Sequence, residues 1–311
     1  MTVISSSNDH ISICICTYKR PDMLELLLSR LAQIETHNLF TYEIVVVDND
    51  ANQSACPAVC KTKQSSPVRI NYFVEPEQNI ALARNKAVDN AQGNFIAFLD
   101  DDELPVRQWL FNLYQSIRSY NCDGVLSPAR PHYPEGCPQW LIKSRLCERP
   151  EHKTGTILNW GQTRTGNVLF DKRIFDEDSS HRFGREFGRS GGEDIEFFKK
   201  MVEAGKTFIW CNEAPVYETV FPERWEKRFY SERYLRIGGL VGEKIRKRES
   251  MAVGLYALIK SALWIVSMSF GYPLARLAGE HLAMKAVTKI MYNTGLISGY
   301  AGRVIIRNRK E

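Results

Sequence analysis

No Cys-x-x-Cys pair occurs among the eight cysteines, and no histidine stands at metal-ligand spacing from one of them. A zinc ribbon and a dithiol redox motif are therefore excluded. The N-terminus lacks a basic region followed by an apolar run, because Asn8, Asp9 and His10 fall where that run belongs. The expectation is a chain without a secretory signal, reduced and intracellular, whose catalytic part stays in the cytosol. No dinucleotide fingerprint follows the first strand-like run, which argues against an oxidoreductase. Gly205-Lys206-Thr207 is not the end of a phosphate loop, since position 200 is Lys and the segment follows a helical pattern. Internal repeats and low-complexity tracts are missing too. Charge of one sign is scarce, at a net +5 over 311 residues, and without a concentrated basic face this excludes nucleic acid as the expected partner.

What is present is an ordinary globular composition, 44% hydrophobic and 25% charged, sufficient for one large core or two smaller ones. The first hundred residues alternate β-rich runs with helical patterns, the mark of a parallel sheet with crossover helices. Ile11–Cys16, Glu43–Asp48, Arg69–Val74 and Asn94–Leu99 read as strands. Pro21 suits a first helical turn, and Leu24, Leu27, Leu28 and Leu31 give the following helix one apolar face. Further helices are expected over about 81–91, about 105–120, and from Glu193 with Ile195, Phe198, Met201 and Val202 on one face. Thr207–Cys211 reads as a strand. The stretch 121–192, rich in Pro, Gly, Trp and Arg, reads as loops and short strands framing a site. The fold class is thus α/β, a mixed and mainly parallel sheet flanked by helices.

Beyond about Lys247 the character changes. Arg224–Glu249 holds nine Lys and Arg against four Glu. Met251–Tyr272 is apolar apart from Lys260 and a few Ser and Gly, and its length meets the need of a spanning helix. The central lysine is costly in hydrocarbon, so a helix lying in the membrane interface is expected rather than one that spans. A buried helical subdomain is the alternative. Leu282–Gly302 is weaker, interrupted by Lys285 and Lys289, and Arg303, Arg307, Arg309 and Lys310 close the chain with positive charge suited to anionic lipid. The expected division is a catalytic domain over 1–245 and a helical membrane-associating region over 246–311.

In an open α/β sheet, ligands bind beyond the carboxyl ends of the strands. Polar and acidic residues stand at those ends: Thr17, Tyr18 and Arg20; Asp48, Asn49 and Asp50; Asp100, Asp101, Asp102 and Glu103. Four consecutive carboxylates repel one another, and a hard divalent cation is the natural neutraliser. Asp100 and Asp102, at i and i+2, can face one ligand. Glu193-Asp194, by spacing alone, fits a catalytic base and ordinary helix capping equally. Stacking on sugars and core packing are both open for Trp140, Trp160 and Trp225.

The pieces Ile13-Cys14-Ile15-Cys16-Thr17-Tyr18-Lys19-Arg20-Pro21, Val45-Val46-Val47-Asp48-Asn49-Asp50, Asn79-Ile80-Ala81-Leu82-Ala83-Arg84-Asn85, Phe98-Leu99-Asp100-Asp101-Asp102 and Gly192-Glu193-Asp194 occur in an order that resembles glycosyltransferase family 2, largely bacterial inverting enzymes with the GT-A fold. Within it, the chain is most similar to transferases that build exopolysaccharide or lipopolysaccharide on a lipid carrier. The resemblance implies a sugar moved from a nucleotide-diphosphate donor, UDP in the commonest case, onto an acceptor hydroxyl with inversion.

It also implies roles. The Thr17–Arg20 loop, with Tyr18, and Asp48 hold the nucleoside; Arg84 lies near the diphosphate; Asn85 braces that segment. Asp100 faces the ribose, Asp101 belongs to the same donor site, and Asp102 binds the divalent metal, Mg or Mn. Asp194 is the base, with Glu193 and Trp140 as acceptor-side or secondary candidates. Tyr217 departs from the pattern, since some relatives place a metal-binding His in that region. The implied partners are a nucleotide-sugar donor, a lipid-linked or other saccharide acceptor and an anionic membrane surface, on the cytoplasmic side of the inner membrane, held peripherally or monotopically. The rivals are a non-catalytic nucleotide-sugar or glycan-binding protein on the same fold and a metal-dependent nucleotidyltransferase.

Overall fold

The computed structural model describes residues 9–189 and 191–303. Residues 1–8 at the N-terminus and Arg307, Arg309 and Lys310 lie outside them. The chain forms two compact units, one holding the residues up to Arg130 with Arg149–Glu218, the other Pro131–Glu148 with the chain from Thr219 onward. The second unit thus begins well before the boundary near 245 expected from composition.

The first unit is built on β1 (His10–Thr17), α1 (Pro21–Leu31), β2 (Thr41–Asp48), α2 (Cys56–Ser65), β3 (Ile70–Val74), α3 (Ile80–Asn90) and β4 (Phe95–Asp100). There follow β5 (Glu103–Pro105), α4 (Trp109–Tyr120), β6 (Gly124–Leu126) and β7 (Ala129–His132). A seven-stranded sheet runs β3-β2-β1-β4 and continues through β8 (Val168–Asp171), β6 and β9 (Phe208–Trp210). Pairing is parallel from β3 to β4; β8 runs antiparallel to both β4 and β6, and β9 is parallel to β6. The mixed, mainly parallel sheet read from the sequence is confirmed.

Both sheet faces are covered. On one, Leu24, Leu27, Leu28 and Leu31 of α1 and Trp109, Leu110, Leu113 and Ile117 of α4 pack against Ile11, Ile13, Ile15, Ile44 and Val46. On the other, Ala81, Ala83, Ala87 and Val88 of α3 and Phe197, Phe198 and Met201 of α7 (Glu193–Glu203) meet Cys14, Val45, Val47, Ile96 and Phe98. Burial on both sides explains why the central strands read as continuous apolar runs.

Three details differ from the sequence reading. Pro105 does not begin a helix: Glu103–Pro105 is a strand paired antiparallel with β10 (Val216–Thr219), and α4 starts at Trp109. Ile195 is 49% exposed, because α7 turns Glu193, Phe197, Phe198 and Met201 inward. The crossover helix α2 was not visible in the pattern, since it buries only Ala58 and Val59.

The second unit contains α5 (Gln139–Ser144), α8 (Lys227–Arg248), α9 (Met251–Ala278) and α10 (Glu280–Tyr300), while the short α6 (Arg173–Asp176) belongs to the first. Helices α8 and α10 cross on glycine. A Cβ at Gly238 or Gly242 would run into the carbonyls of Tyr292 or Leu296, and one at Gly295 or Gly299 into those of Leu235 or Gly239. Helix α9 buries only Gly254 and Ser261, with Leu263, Phe270, Leu274 and Leu277 exposed. Helix α9 is thus largely uncovered, whereas α10 buries Ala283, Met284, Ala286 and Leu296 as a helical subdomain would. Among the described residues, α9 is the one helix long and apolar enough to cross a membrane.

Candidate active site at the acidic strand ends

Chain order reverses direction across the sheet between β1 and β4, the switch point where α/β sheets open a crevice. Register sets Thr17 opposite Asp48 and Cys16 opposite Asp100. The three strand ends singled out from the sequence are therefore neighbours.

The loop after β1 is tied to the acidic turn. Thr17 Oγ1 donates to Asp101 Oδ2 at 2.8 Å, and Arg20 Nη1 donates to Asp101 Oδ1 at 2.9 Å and Asp102 Oδ2 at 3.1 Å. Asp101 is buried, and its carboxyl is pushed up by burial, with Arg20 and Thr17 opposing. It thus braces the loop that carries Tyr18. Asp100 points the other way, its side chain 51% exposed. Asp102 is raised to about 6, first by burial and then by the charges of Asp100, Asp101 and Glu218.

Asp48 is fully buried. It accepts from the Asp50 and Ala55 backbone N–H groups at 3.1 and 2.8 Å and from the Tyr72 hydroxyl at 2.8 Å. Asn49 ties this strand end onward, donating to the Glu75 and Glu77 carbonyls and accepting from the Asn79 backbone N–H.

Opposite the acidic turn stands α7. Arg84 of α3, buried, donates from Nη1 to Glu193 Oε1 at 2.5 Å, lies 3.7 Å from Asp100 Oδ1 and stacks 5.6 Å from the Phe183 ring. Asp194 accepts from the Ile195 N–H at 2.8 Å, and its carboxyl is raised by burial and then by Glu193, with Arg84 opposing. Asn85 clasps the backbone of Phe183 in both directions at 2.9 Å.

Arg149, Arg164, Glu218 and Tyr72 escaped sequence reasoning. Glu103, buried, faces Glu218 across β5 and β10, and Arg149 holds Glu218 at 2.7 Å. Arg164 is lowered to about 10 by burial and by Arg149, and its Nε and Nη2 find no hydrogen-bond partner. Both arginines lie in the aperiodic stretch, where no spacing marks them. Tyr72 carried the only available signal, a tyrosine on the strand beside Asp48. Trp140 lies in the helical unit, edge-on to Tyr230 with Lys227 Nζ 5.7 Å from its ring. Trp225 is there too, donating to the Val220 carbonyl. Tyr217 pairs with Leu104 and is 39% exposed.

The family model described as "Glycosyl transferase family 2" matches residues 12–185. A curated relative, the succinoglycan biosynthesis protein ExoM of Rhizobium meliloti (strain 1021), is 33% identical over 302 residues, covering 94% of this chain and 93% of that one. The chain belongs to glycosyltransferase family 2. ExoW of the same organism, also named a succinoglycan biosynthesis protein, is 24% identical over 205 residues, 61% of this chain and 63% of its own. Among solved structures, the mannosyltransferase PcManGT from Pyrobaculum calidifontis, in complex with GDP-Man and Mn2+, superposes with a TM-score of 0.62 at 15% identity, covering 94% and 88% of the two chains. S. aureus TarS 1-349 in complex with UDP-GlcNAc gives 0.53 at 16% identity, covering 94% and 92%. These likenesses establish the GT-A fold. As a family 2 member the chain is a glycosyltransferase, which sets aside both the binding-protein and the nucleotidyltransferase readings.

Among the described residues, no three His, Cys, Asp or Glu side chains gather to hold a metal by themselves. The family's divalent ion nevertheless fits. Asp102 sits among the charges of Asp100, Asp101 and Glu218, with the Arg20 guanidinium opposing them, a carboxylate-rich setting in which Mg or Mn shares one or two carboxylates with substrate phosphates.

Proposed function

We propose that this glycosyltransferase moves a sugar from a nucleotide-diphosphate donor, UDP-linked, onto an acceptor hydroxyl with inversion, the acceptor being a lipid-linked saccharide in bacterial surface polysaccharide synthesis. The observation that carries the reading is the meeting of two distant motifs: Arg84 lies against both Asp100 of the donor strand end and Glu193 beside Asp194. Thr17, Tyr18, Arg20 and Asp48 shape the nucleoside end, Asp100 and Asp101 the ribose side, and Asp102 holds the metal. A divalent ion bound there supplies Lewis-acid stabilisation of the charge on the departing diphosphate. Asp194 takes the proton of the acceptor hydroxyl, its carboxyl raised by burial and by the neighbouring Glu193. The names of ExoM and ExoW support the polysaccharide reading.

The exposed apolar α9 beside the basic α8 supports attachment to an anionic membrane from the cytoplasmic side, peripherally or monotopically. In this reading residues 1–245 are the catalytic region and 246–311 the attaching region, with the boundary falling inside α8, which belongs to the helical unit. The first test is thermal stabilisation by UDP, GDP, CMP and TDP with and without Mn2+, on the wild type and Asp102→Ala. A Mn2+-dependent shift with UDP, lost in the variant, is expected. A shift with another nucleotide alone would overturn the UDP assignment, and equal shifts in wild type and variant would remove Asp102 from the metal.

A further inference from the structure

We propose that Arg84 is a positioning residue for the transfer step: a buried strut that holds Glu193, and through it Asp194, in fixed register with Asp100. This rests on the reading of Asp194 as the base and assigns Arg84 and Glu193 a function different from diphosphate or acceptor contact.

The start of α7 is weakly anchored by its own sequence. Its N-cap is Gly192 at φ 101, preceded by Gly191 at φ 83, and among the described residues no side chain caps the helix. Two successive left-handed glycines allow the entry to swing, because glycine alone adopts that region without strain. The orientation of Asp194 must then be set from outside. Glu193 supplies the means. It is 6% exposed in a first helical turn, where a carboxylate would ordinarily face water. Such burial is tolerated only with a close partner, and Arg84 is that partner at 2.5 Å.

The guanidinium is a rigid planar fork. With Nη1 on Glu193, Nη2 is 3.7 Å from Asp100, and the Phe183 ring stands at 5.6 Å. Arg84 itself is only 7% exposed, so little of it is free for a phosphate.

The rest of α3 works in the same direction. Asn79 caps α3 through the Ala81 and Leu82 N–H groups and donates to the Arg185 carbonyl at 2.9 Å, while Asn85 clasps Phe183. Gly188 packs so closely on the Asn79 side chain that a Cβ there would collide with it. Helix α3 is thus the spine against which the segment leading to the base is laid, and Arg84 is its last fastening before Asp194.

The test separates placement of the base from binding of the donor. Arg84→Met and Glu193→Gln are compared with wild type for kcat with donor and acceptor, and for the Kd of UDP and of GDP with Mn2+ by calorimetry. Expected is a fall in kcat of about 100-fold for Arg84→Met, the cost of a misplaced reacting group, and about tenfold for Glu193→Gln. Nucleotide Kd should stay within about threefold in both. The double variant should be no slower than Arg84→Met alone, because residues acting as a unit are not additive.

Weakening of the nucleotide complex by tenfold or more in Arg84→Met, whatever happens to kcat, would make Arg84 a phosphate ligand and overturn the strut. Wild-type kcat in Glu193→Gln would overturn it as well, and that variant, nearly isosteric, answers even where Arg84→Met does not fold. Asp194→Asn serves as the control: full activity there would sink the base assignment itself, a result distinct from either of these.

Discussion

In the sheet unit, Phe170 sits among Phe98, Phe175, Phe197, Phe198 and Phe208 at centroid distances of 5.5–6.2 Å. In the helical unit, α8 and α10 meet through Gly238, Gly242, Gly295 and Gly299, while Phe270 and Leu277 of α9 are 82% and 85% exposed. The first unit places its large apolar groups inside and gains from removing them from water. The second packs Leu141, Tyr230 and Met284 inside as well, but it crosses α8 and α10 on its smallest residues and leaves the large groups of α9 outside, which close backbone approach permits and which suits a lipid surrounding. Charge is distributed the same way. The sheet unit buries Asp48, Asp101, Glu103, Glu193 and Arg84 around one end of the sheet, whereas the basic residues closing α8, Arg246, Lys247 and Arg248, face solvent. One unit is organised around a site and the other around a surface.

The most direct way to break the comparison is chemical. Asp194→Asn should lower kcat by about 10²–10⁴-fold, the range for a positioned base, while the thermal unfolding of both units stays within about a degree of wild type, because Asp194 is partly exposed and the bond it accepts from the Ile195 N–H is local. Steady-state kinetics beside calorimetric unfolding measures both; retained activity would detach α7 from the chemistry.

Next in size is Gly238→Leu. The added side chain has no space between α8 and the Tyr292 carbonyl, and overpacking of this kind costs about 3 kcal/mol. Urea unfolding should show the loss, with UDP or GDP affinity unchanged. Unaltered stability would mean that the glycine crossing does not hold the helical unit together.

These two substitutions also mark what could be read in advance. Strands β1 to β4 were legible because burial on both faces made them uninterrupted apolar runs. The interlocking of Gly238 and Gly242 with Gly295 and Gly299 was not, because glycines spaced four apart carry no apolar signal. The burial of Glu193 is hidden from the sequence for a related reason. Its burial depends on Arg84, 109 residues earlier in the chain, and periodicity registers only neighbours along a helix. Ile195 was placed inward on that basis and lies outward instead. The start of α4 was misplaced because Glu103–Pro105 is held by a strand more than a hundred residues away, a pairing no local propensity encodes.

A smaller effect tests the surface half of the comparison. Phe270→Ser and Leu274→Ser, on the exposed side of α9, should each weaken partition onto anionic vesicles by about tenfold, roughly 1.4 kcal/mol. Activity on a soluble acceptor should not change. Equal sedimentation of wild type and variants with vesicles would show that α9 does not enter lipid.

The subtlest difference lies in the pH profile. Asp194 acts as a base only when ionised, and its carboxyl is raised by burial and by Glu193, against the opposing charge of Arg84. The rate must therefore fall as pH drops through a value above that of an ordinary aspartate, about 3.9. Removing the negative neighbour with Glu193→Gln favours the ionised form and should move this acid limb to lower pH, even as the plateau falls. Removing the positive one with Arg84→Met should move it higher. The limb in kcat/KM reports the free enzyme, so the two shifts are read without donor saturation. Shifts of the same sign in both variants would mean that the titrating group is not Asp194, and the sheet unit's buried charges would then serve its stability rather than its reaction.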